Sequence, residues 1–357
     1  MIYAYGITVQ GTYHIKNDIV CQDAHNIVKK DKDIVIAAVA DGLGSEKYSD
    51  IASKIAAKRA TTFCAEKITK SSSEEDILKT IKAAFTASQD EIEKTAAENG
   101  HSVDEYDSTL SLSVLMGEYL YYGHVGDSGI IVLTSDGLYK QVTEQQRDED
   151  NRLYPLFFRD RWIFKKFEEK VCSVFLATDG IFEIMFPYLI KDEEVNIHIA
   201  LARFLMDNHG LRIEKRGEDA VKADVEDFIK NIPDAQVNDD KTLVVLINAS
   251  VESKIQPDEY YKEPDWEGLK KKRDEEYKRQ AYPHLFKDKP EEKKADDKSD
   301  KDVAGPADGT DTTSPDDKSE AKKENKSDAK TPDASNPQPE TKKEKGHFGW
   351  WRGDKKK

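Results

Sequence analysis

Apolar runs that alternate with polar residues and meet at short turns constrain the fold of this chain most strongly. Residues 109–116 and 119–125 meet at a Gly-Glu dipeptide, and residues 129–134 and 138–142 meet at Ser-Asp-Gly. Two-residue periodicity on both sides of a glycine-containing turn predicts a β-hairpin. The middle of the chain is therefore predicted to form an antiparallel meander.

Further strands and helices surround this meander. Apolar runs predict strands at residues 2–9, 25–28, 33–40, 172–178 and 242–248. Amphipathic stretches predict helices at residues 48–68, 74–99, 193–208 and 218–229. Consecutive hairpins interrupted by helical pairs predict an α+β fold, namely a layered α/β/β/α sandwich of two antiparallel sheets flanked by helices.

The apolar content falls along the chain and divides it into three predicted parts. Residues 1–250 contain every run named above and are predicted to form one folded domain around a sizeable core. Residues 251–286 are rich in charge, with tyrosine and tryptophan interspersed, and predict a helical extension that packs along the domain or binds a partner. Residues 287–357 are too poor in apolar side chains to offset the entropy of ordering, so we predict a disordered tail.

The extreme end of that tail differs from the rest of it. Residues 347–353 hold three aromatic side chains in a segment otherwise almost without them. Such a cluster is typical of a docking motif for a partner or a membrane surface, because aromatic and arginine side chains dominate interface anchors. A chance feature without a docking role is an equally good interpretation.

Charge and hydropathy exclude several classes of protein. The net charge of −15, with tail lysines interleaved with acidic residues, argues against nucleic-acid binding, which needs a concentrated basic surface. The chain lacks an apolar run of about 18 residues and a signal-peptide-like start, so we predict no transmembrane segment and a cytoplasmic location. Cys21, Cys64 and Cys172 are scattered and odd in number, which predicts reduced thiols rather than disulfides or a zinc site.

Four aspartates, Asp23, Asp41, Asp179 and Asp239, share one kind of placement. Each lies at the start or end of a predicted strand, where a rigid element can hold a carboxylate. Carboxylates without histidine or cysteine suit hard cations such as Mn2+ or Mg2+. Two such ions can clamp a phosphoryl group and lower the pKa of a water so that hydroxide exists near neutral pH. The pattern therefore predicts a two-metal hydrolytic site.

Asp-Gly dipeptides also have an ordinary explanation. They are among the commonest turn sequences, and each aspartate taken alone is more often a turn residue than a ligand. Asp136 illustrates this, since it lies with its glycine between two alternating strands. Asp41 differs because a buried strand precedes it and a helix follows it. The absent side chain of Gly42 would let its backbone carbonyl approach a metal.

Short motifs that include these aspartates occur in a characteristic order. They read Gly11-Thr12-Tyr13-His14, Cys21-Gln22-Asp23-Ala24, Val39-Ala40-Asp41-Gly42-Leu43-Gly44-Ser45, Ser108-Thr109, Gly123-His124-Val125-Gly126-Asp127-Ser128, Leu176-Ala177-Thr178-Asp179-Gly180-Ile181-Phe182-Glu183 and Asp239-Asp240-Lys241-Thr242-Leu243-Val244-Val245. In motif content and order, residues 5–248 resemble the metal-dependent, type 2C serine/threonine protein phosphatases, especially their bacterial branch. The ordered set is far more specific than one motif.

The resemblance implies a site for two Mn2+ or Mg2+ ions at one end of the sandwich, between the sheets. Asp41 would bridge both ions, and the carbonyl of Gly42 would bind one of them. Asp127 matches the family residue associated with a third, weaker ion. Gln22 and Asp240 would lie just behind the ligands. The full set of implied ligands, direct or through water, is Asp23, Asp41, Gly42, Asp127, Asp179 and Asp239.

Several positions depart from the family pattern. Gln22 stands where many relatives carry Glu, Leu43 where some eukaryotic members have a histidine implicated in protonating the leaving oxygen, and Gly129 where an arginine is usual. Residues 16–20 lack the arginine that holds the substrate phosphate in those relatives. His14 is the candidate substitute, as a phosphate-binding imidazolium or as a proton source. A surface or capping histidine without substrate contact is the alternative interpretation.

Two further features near the motifs follow from the residues themselves. His124 lies in a predicted strand and is expected to be a hydrogen-bonded core histidine rather than a base. Residues 144–170, which include Arg147, are dense in charged and aromatic side chains, and the family has a variable flap in this interval. These residues can be interpreted either as a flap with substrate contacts or as a solvated surface loop.

The activity that the resemblance implies is hydrolysis of phosphoserine and phosphothreonine in proteins by a metal-bridging hydroxide. Asp41, Asp179 and His14 are the expected catalytic residues, and phosphorylated proteins with a cognate Ser/Thr kinase are the expected partners. A pseudophosphatase that binds a phosphoprotein or partner without turnover is the alternative, motivated by Leu43 and the missing arginine. A phosphatase for small phosphorylated metabolites is a third hypothesis.

Overall fold

The computed structural model describes residues 1–283, and these form two five-stranded antiparallel sheets. The strands are Ile2–Val9 (β1), Asp23–Asp31 (β2), Ile34–Asp41 (β3), Leu110–Met116 (β4), Tyr119–Val125 (β5), Gly129–Thr134 (β6), Tyr139–Gln141 (β7), Ile163–Lys166 (β8), Val171–Ala177 (β9) and Lys241–Asn248 (β10). The first sheet has the order β1-β10-β9-β6-β7, and the second has the order β2-β3-β4-β5-β8.

Helices cover the outer face of each sheet. The α-helices of residues 1–283 are Thr12–Lys16 (α1), Ser49–Lys67 (α2), Glu74–Asn99 (α3), Asp179–Met185 (α4), Ile199–Met206 (α5), Asn208–Leu211 (α6), Ile213–Arg216 (α7), Glu218–Lys230 (α8) and Trp266–Ala281 (α9). Apolar side chains of α2 and α3 pack on the second sheet, and those of α5 and α8 pack on the first. Apolar side chains of both sheets, including Val39, Val174 and Val244, form the core between them. The predicted sandwich of two antiparallel sheets flanked by helices is confirmed.

Strand ends bring the predicted ligands to one end of the sandwich. Asp23 begins β2 and pairs with Asp41 at the end of β3. Asp127 follows β5, Asp179 follows β9, and Asp239 precedes β10. Because neighbouring strands are antiparallel, the end of one strand lies beside the start of the next. The sheet register therefore explains why aspartates far apart in the sequence meet here.

Two local predictions differ from the structure. Residues 193–198, predicted as the first turns of a helix, are not helical, and α5 begins only at Ile199. The strand β8 lies in a stretch for which no strand is predicted, and it pairs with β5 at the edge of the second sheet. Both differences fall outside the strands that carry the aspartates.

Residues 251–283 contact the domain through the apolar side chains of Val251, Tyr260 and Tyr261 and through polar groups. The hydroxyl of Tyr260 accepts a hydrogen bond of 3.0 Å from the backbone N–H of Tyr139 in β7. In α9, which has no buried residue, Arg273 donates to Asp192 at 2.6 Å. A domain boundary at residue 250 stays a prediction. Residues 287–357, with their predicted disorder and aromatic end, lie outside the described residues.

Residues 1–283 contain no helix that could cross a membrane, and their three cysteines are free thiols. Within residues 1–283, no helix combines the length and apolar content needed to cross a bilayer. Cys21, Cys64 and Cys172 are free. Burial raises the pKa of each thiol to about 12, so all three are protonated near neutral pH. A thiolate nucleophile at Cys21, beside the aspartates, is therefore not supported.

His124 is buried in β5, and both of its ring nitrogens have partners. Nε2 lies 3.0 Å from the carbonyl oxygen of Glu144, which can only accept, so Nε2 carries the proton. Nδ1 then accepts a hydrogen bond of 2.9 Å from the hydroxyl of Ser111. Burial lowers the pKa of His124 to about 4. The prediction of a hydrogen-bonded core histidine is confirmed.

We expect His124 to make the domain less stable in mild acid. Its pKa is about 4 in the folded chain against an ordinary value of 6.5, so the unfolded chain binds this proton more readily between those values. The stability supplied by the neutral ring is present above about pH 6.5 and is lost as the pH falls toward 4. Between pH 7 and pH 5 the loss amounts to about 2 kcal/mol.

Urea unfolding of the metal-free native chain and of His124→Gln at the two pH values measures this loss. The comparison isolates His124, because the carboxylates titrate in both proteins. The difference in unfolding free energy between the two should shrink by about 2 kcal/mol from pH 7 to pH 5. A difference that does not change with pH would contradict the prediction.

Candidate metal centre

Three aspartates from different segments form the centre of the site. Asp41 ends β3, Asp127 follows β5, and Asp179 opens α4. Each offers a carboxylate oxygen, and these oxygens lie within 4.8 Å of one another. Such a group of hard oxygen donors suits divalent cations of the Mg2+ and Mn2+ type.

Burial and neighbouring carboxylates raise the pKa of Asp41 and of Asp179. Burial raises the pKa of Asp41 well above its ordinary value, and the charges of Asp23, Asp179 and Asp127 raise it further. Burial also raises the pKa of Asp179, followed by the charge of Asp239. Buried like charges at close range are unfavourable unless a counter-charge is present. A bound cation would therefore stabilise the ionised form of the whole group.

Asp127 has one paired and one unpaired carboxylate oxygen. Oδ2 accepts a hydrogen bond from Nη2 of Arg147, whereas the buried Oδ1 has no hydrogen-bond partner among the described residues. Burial, followed by the charge of Asp179, raises the pKa of Asp127 to about 6, and Arg147 opposes this rise. Leaving a buried oxygen unpaired costs free energy. The free Oδ1 therefore fits a metal ligand.

Gly42 has no room for a side chain. A Cβ atom there would lie 2.5 Å from the carbonyl oxygen of Ser49 and 2.9 Å from that of Gln22. The backbone N–H of Gly42 donates to the same Gln22 carbonyl at 3.1 Å. The position after Asp41 thus requires glycine for close backbone packing. The role of the Gly42 carbonyl as a ligand stays a prediction.

Asp23 lies opposite Asp41 in the β2–β3 pair and is buried. Its Oδ2 accepts a hydrogen bond of 2.7 Å from the hydroxyl of Thr178. Burial raises the pKa of Asp23 well above its ordinary value; the Thr178 hydrogen bond opposes this, and the charges of Asp240 and Asp179 add to it. Thr178 therefore fixes the orientation of a carboxylate that stays a predicted ligand, direct or through water.

Asp240 ties three segments together beneath the site. Its carboxylate accepts hydrogen bonds from the backbone N–H groups of Gly11, at 2.6 Å, and of Gln22, at 2.7 Å. Nδ1 of His14 lies 2.9 Å from the same carboxylate. The Gln22 side chain turns away from it and donates to Ser49 at 2.7 Å. Bonds to a buried carboxylate are strong, so Asp240 fixes α1 and the start of β2 against β10.

His14 lies between two aspartates. Its side chain is only 8% exposed, and Nε2 lies 3.7 Å from Oδ1 of Asp239. The Asp239 side chain is 55% exposed and lines an open depression of about 150 Å3, together with Asp179 and Glu183. His14, Asp239 and Asp240 form a second group whose potential ligand atoms lie within 4.8 Å of one another. Asp239 is thus at the exposed edge of the site and lines the same depression as Asp179.

Two residues at the site were not predicted as site residues. Glu183 follows Asp179 by four residues in α4, and burial, then the charge of Asp179, raises its pKa. That spacing places both side chains on one helix face and could have indicated Glu183. Arg147 contacts Asp127 from 20 residues away, and only its place in a charged stretch suggested a contact with the site.

Comparison with known proteins identifies the family. Residues 10–216, more than half of the 357 residues, match the sequence pattern of the family described as Protein phosphatase 2C. No curated protein matches the chain.

Similar solved structures include three phosphatases. A bacterial serine phosphatase is 15% identical, with a TM-score of 0.48, over 72% of this chain and 100% of that chain. The serine/threonine phosphatase Stp1 from Staphylococcus aureus is 15% identical, with a TM-score of 0.45, over 70% of this chain and 95% of that one. The Mycobacterium tuberculosis serine/threonine phosphatase PstP/Ppp is 17% identical, with a TM-score of 0.47, over 69% and 98% of the two chains.

The family match covers most of the carboxylates described above. Asp23, Asp41, Asp127 and Asp179 lie inside the matched range, and Asp239 lies beyond its end. The resemblance read from the ordered motifs is thereby confirmed, and this chain belongs to the protein phosphatase 2C family of serine/threonine phosphatases.

Proposed function

We propose that this chain hydrolyses phosphoserine and phosphothreonine in proteins, using Mn2+ or Mg2+ ions held at the aspartate cluster. The observation that carries the proposal is the cluster of Asp41, Asp127 and Asp179, in which the buried Oδ1 of Asp127 has no partner among the described residues. Oxygen donors of this kind fit hard divalent cations.

Asp41, Asp127 and Asp179 would hold the ions, with the Gly42 carbonyl, Asp23 and Asp239 as further ligands, direct or through water. When bound, such ions neutralise phosphoryl oxygens and acidify a water so that it can attack phosphorus near neutral pH. The chain's own residues keep the cluster in position.

His14 is proposed to supply the proton for the leaving serine or threonine oxygen. Nδ1 lies 2.9 Å from the Asp240 carboxylate but makes no hydrogen bond among the described residues, and Nε2 would carry the transferable proton. Leu43 cannot do this, because its side chain has no ionisable group. Nε2 of His14 lies 3.7 Å from Oδ1 of Asp239, an exposed residue of the depression through which a leaving group would depart toward solvent.

A phosphorylated protein fits the site better than a small metabolite does. The depression between Asp179 and Asp239 is open, and Asp239 is more than half exposed. Small-molecule sites usually enclose most of the ligand's surface. We therefore propose phosphoproteins, including targets of a cognate Ser/Thr kinase in the cytoplasm, as the partners of this site.

Phosphate release from a phosphothreonine peptide tests this function. We expect turnover with Mn2+ or Mg2+, none with chelator, and a lower kcat/KM for small phosphorylated metabolites. A folded native chain that releases no phosphate from several phosphopeptides with either ion would overturn the proposal. In that case a pseudophosphatase that binds a phosphoprotein without turnover becomes the better interpretation.

A further inference from the structure

The segment before Arg147 is fixed to the loop that carries Asp127. The backbone N–H of Gln146 donates to the carbonyl of Gly126 at 2.8 Å, and the Gln146 side-chain oxygen accepts from the N–H of Gly126 at 3.2 Å. The side chain of Gln145 donates to the carbonyl of Asp127 at 3.0 Å. Three hydrogen bonds therefore hold the backbone just before Arg147 beside the metal centre.

The segment after Arg147 is a closed turn. Oδ1 of Asp148 accepts the backbone N–H groups of Asp150, at 2.9 Å, and of Arg152, at 2.8 Å. Asn151 adopts a φ of 64°, a conformation that asparagine tolerates well, and its carbonyl accepts from Nη1 of Arg147 at 3.2 Å. Hydrogen bonds therefore hold the backbone on both sides of Arg147, which fixes the position from which its side chain extends.

The guanidinium of Arg147 is only partly used by these contacts. Nη2 donates to Asp127 and Nη1 to Asn151, so two of five N–H donors are bonded. The other three have no hydrogen-bond partner among residues 1–283, and the side chain is 29% exposed. The guanidinium thus lies against Asp127 at the aspartate cluster, with donors left for a further ligand.

We propose that Arg147 binds the phosphoryl group of the substrate through these free N–H donors, while Asp127 holds the guanidinium in place. This rests on the proposed function, which brings a phosphate monoester to the metal centre. An arginine fork suits phosphate, because parallel N–H groups can pair with two phosphoryl oxygens.

The experiment compares the full chain with Arg147→Met, Arg147→Lys and Arg152→Met. Arg152 is the matched control, since it belongs to the same turn but is 79% exposed and pairs only loosely with Asp150, at 3.9 Å. Binding of inorganic phosphate to each protein in Mg2+ is measured by titration calorimetry, and KM and kcat are measured on a phosphothreonine peptide. Thermal unfolding in chelator reports folding.

We expect Arg147→Met to weaken phosphate binding and raise KM by roughly 10- to 100-fold, the range of a lost hydrogen bond to a charged group. Arg147→Lys should give a phosphate affinity and a KM between those of the native chain and of Arg147→Met. Lysine keeps the positive charge but loses the paired N–H donors of the guanidinium. Arg152→Met should match the native chain.

Phosphate binding and turnover together separate a failure of the Arg147 proposal from a failure of the proposed activity. Unchanged phosphate affinity and KM in a folded Arg147→Met variant would make Arg147 only a counter-ion of Asp127 and overturn the inference while turnover stands. Phosphate binding that depends on Arg147, in a native chain without turnover, would overturn the proposed activity and leave the inference intact. A native chain that neither binds phosphate nor turns over would overturn both.

Discussion

Replacing Asp41 with asparagine is expected to lower metal-dependent phosphate release by at least roughly 10³-fold, because metal ions supply several kcal/mol of charge stabilisation in such reactions. Asp41 contributes an oxygen to the cluster with Asp127 and Asp179, and its substitution removes one of the charges that attract the ions. The measurement is the rate of phosphate release from a phosphothreonine peptide at saturating Mn2+.

The same substitution should stabilise the chain when metal is absent. Burial and the charges of Asp23, Asp179 and Asp127 make an ionised Asp41 unfavourable, as its raised pKa indicates. Asparagine removes that charge at nearly the same volume. Thermal unfolding in chelator should therefore give a higher Tm for Asp41→Asn than for the native chain, in contrast to the loss of activity. A shared loss of activity and stability would indicate a folding defect instead.

Asp136→Asn is the matched control for Asp41→Asn. Asp136 also precedes a glycine, but it lies in the turn between β6 and β7, is 59% exposed and pairs with Lys254 at 2.6 Å. The same change of atoms there should leave phosphate release unchanged. An Asp41→Asn variant that keeps activity within about threefold of this control would rule out an essential ligand role for Asp41.

The meeting of the aspartates could be predicted because it follows from short-range features. Each strand ends where its apolar run ends, so the residues beside those ends, such as Asp41 and Asp179, were identifiable from sequence. Antiparallel pairing then brings the ends together. The resemblance to the family placed the site at one end of the sandwich, between the sheets, which periodicity alone leaves open.

Contacts made by irregular segments could not be predicted in this way. Arg147 reaches Asp127 because hydrogen bonds fix a loop without hydrophobic periodicity. Likewise, Glu193, the first residue of a predicted helix, instead pairs with Lys272 of α9, and its neighbour Asp192 pairs with Arg273. In both cases the partner lies 18 or more residues away on a separate element, beyond the reach of local pattern.

The glycine at position 129, where the family usually has arginine, also has a structural explanation. A Cβ atom at Gly129 would lie 2.0 Å from Cε2 and 2.1 Å from Cζ of Phe182, whose ring is buried in the core of the first sheet. Phe182 therefore occupies the space that any side chain at position 129, including the arginine usual in the family, would need. Since Phe182 belongs to α4, the glycine also lets the helix that carries Asp179 pack closely on β6.

Gly129→Ala is therefore expected to destabilise the chain by about 3 kcal/mol, the upper part of the usual range for overpacking a core. The backbone of β6 cannot move freely, because Gly129 pairs with Ala177 of β9. The ring of Phe182 must shift instead, and α4 with it. Urea unfolding measures the cost, and phosphate release should fall as well, since Asp179 would be displaced from the cluster.

A double-mutant cycle with Phe182→Ala separates this clash from other effects of the alanine. Phe182→Ala alone should be costly because it leaves a cavity, but Gly129→Ala added to it should cost little, giving a coupling energy of roughly 2 to 3 kcal/mol. Gly210→Ala is the control, since a Cβ atom at Gly210 in α6 meets nothing within 4 Å. An equal cost of Gly129→Ala with and without Phe182 would mean that the ring does not decide which residue position 129 accepts.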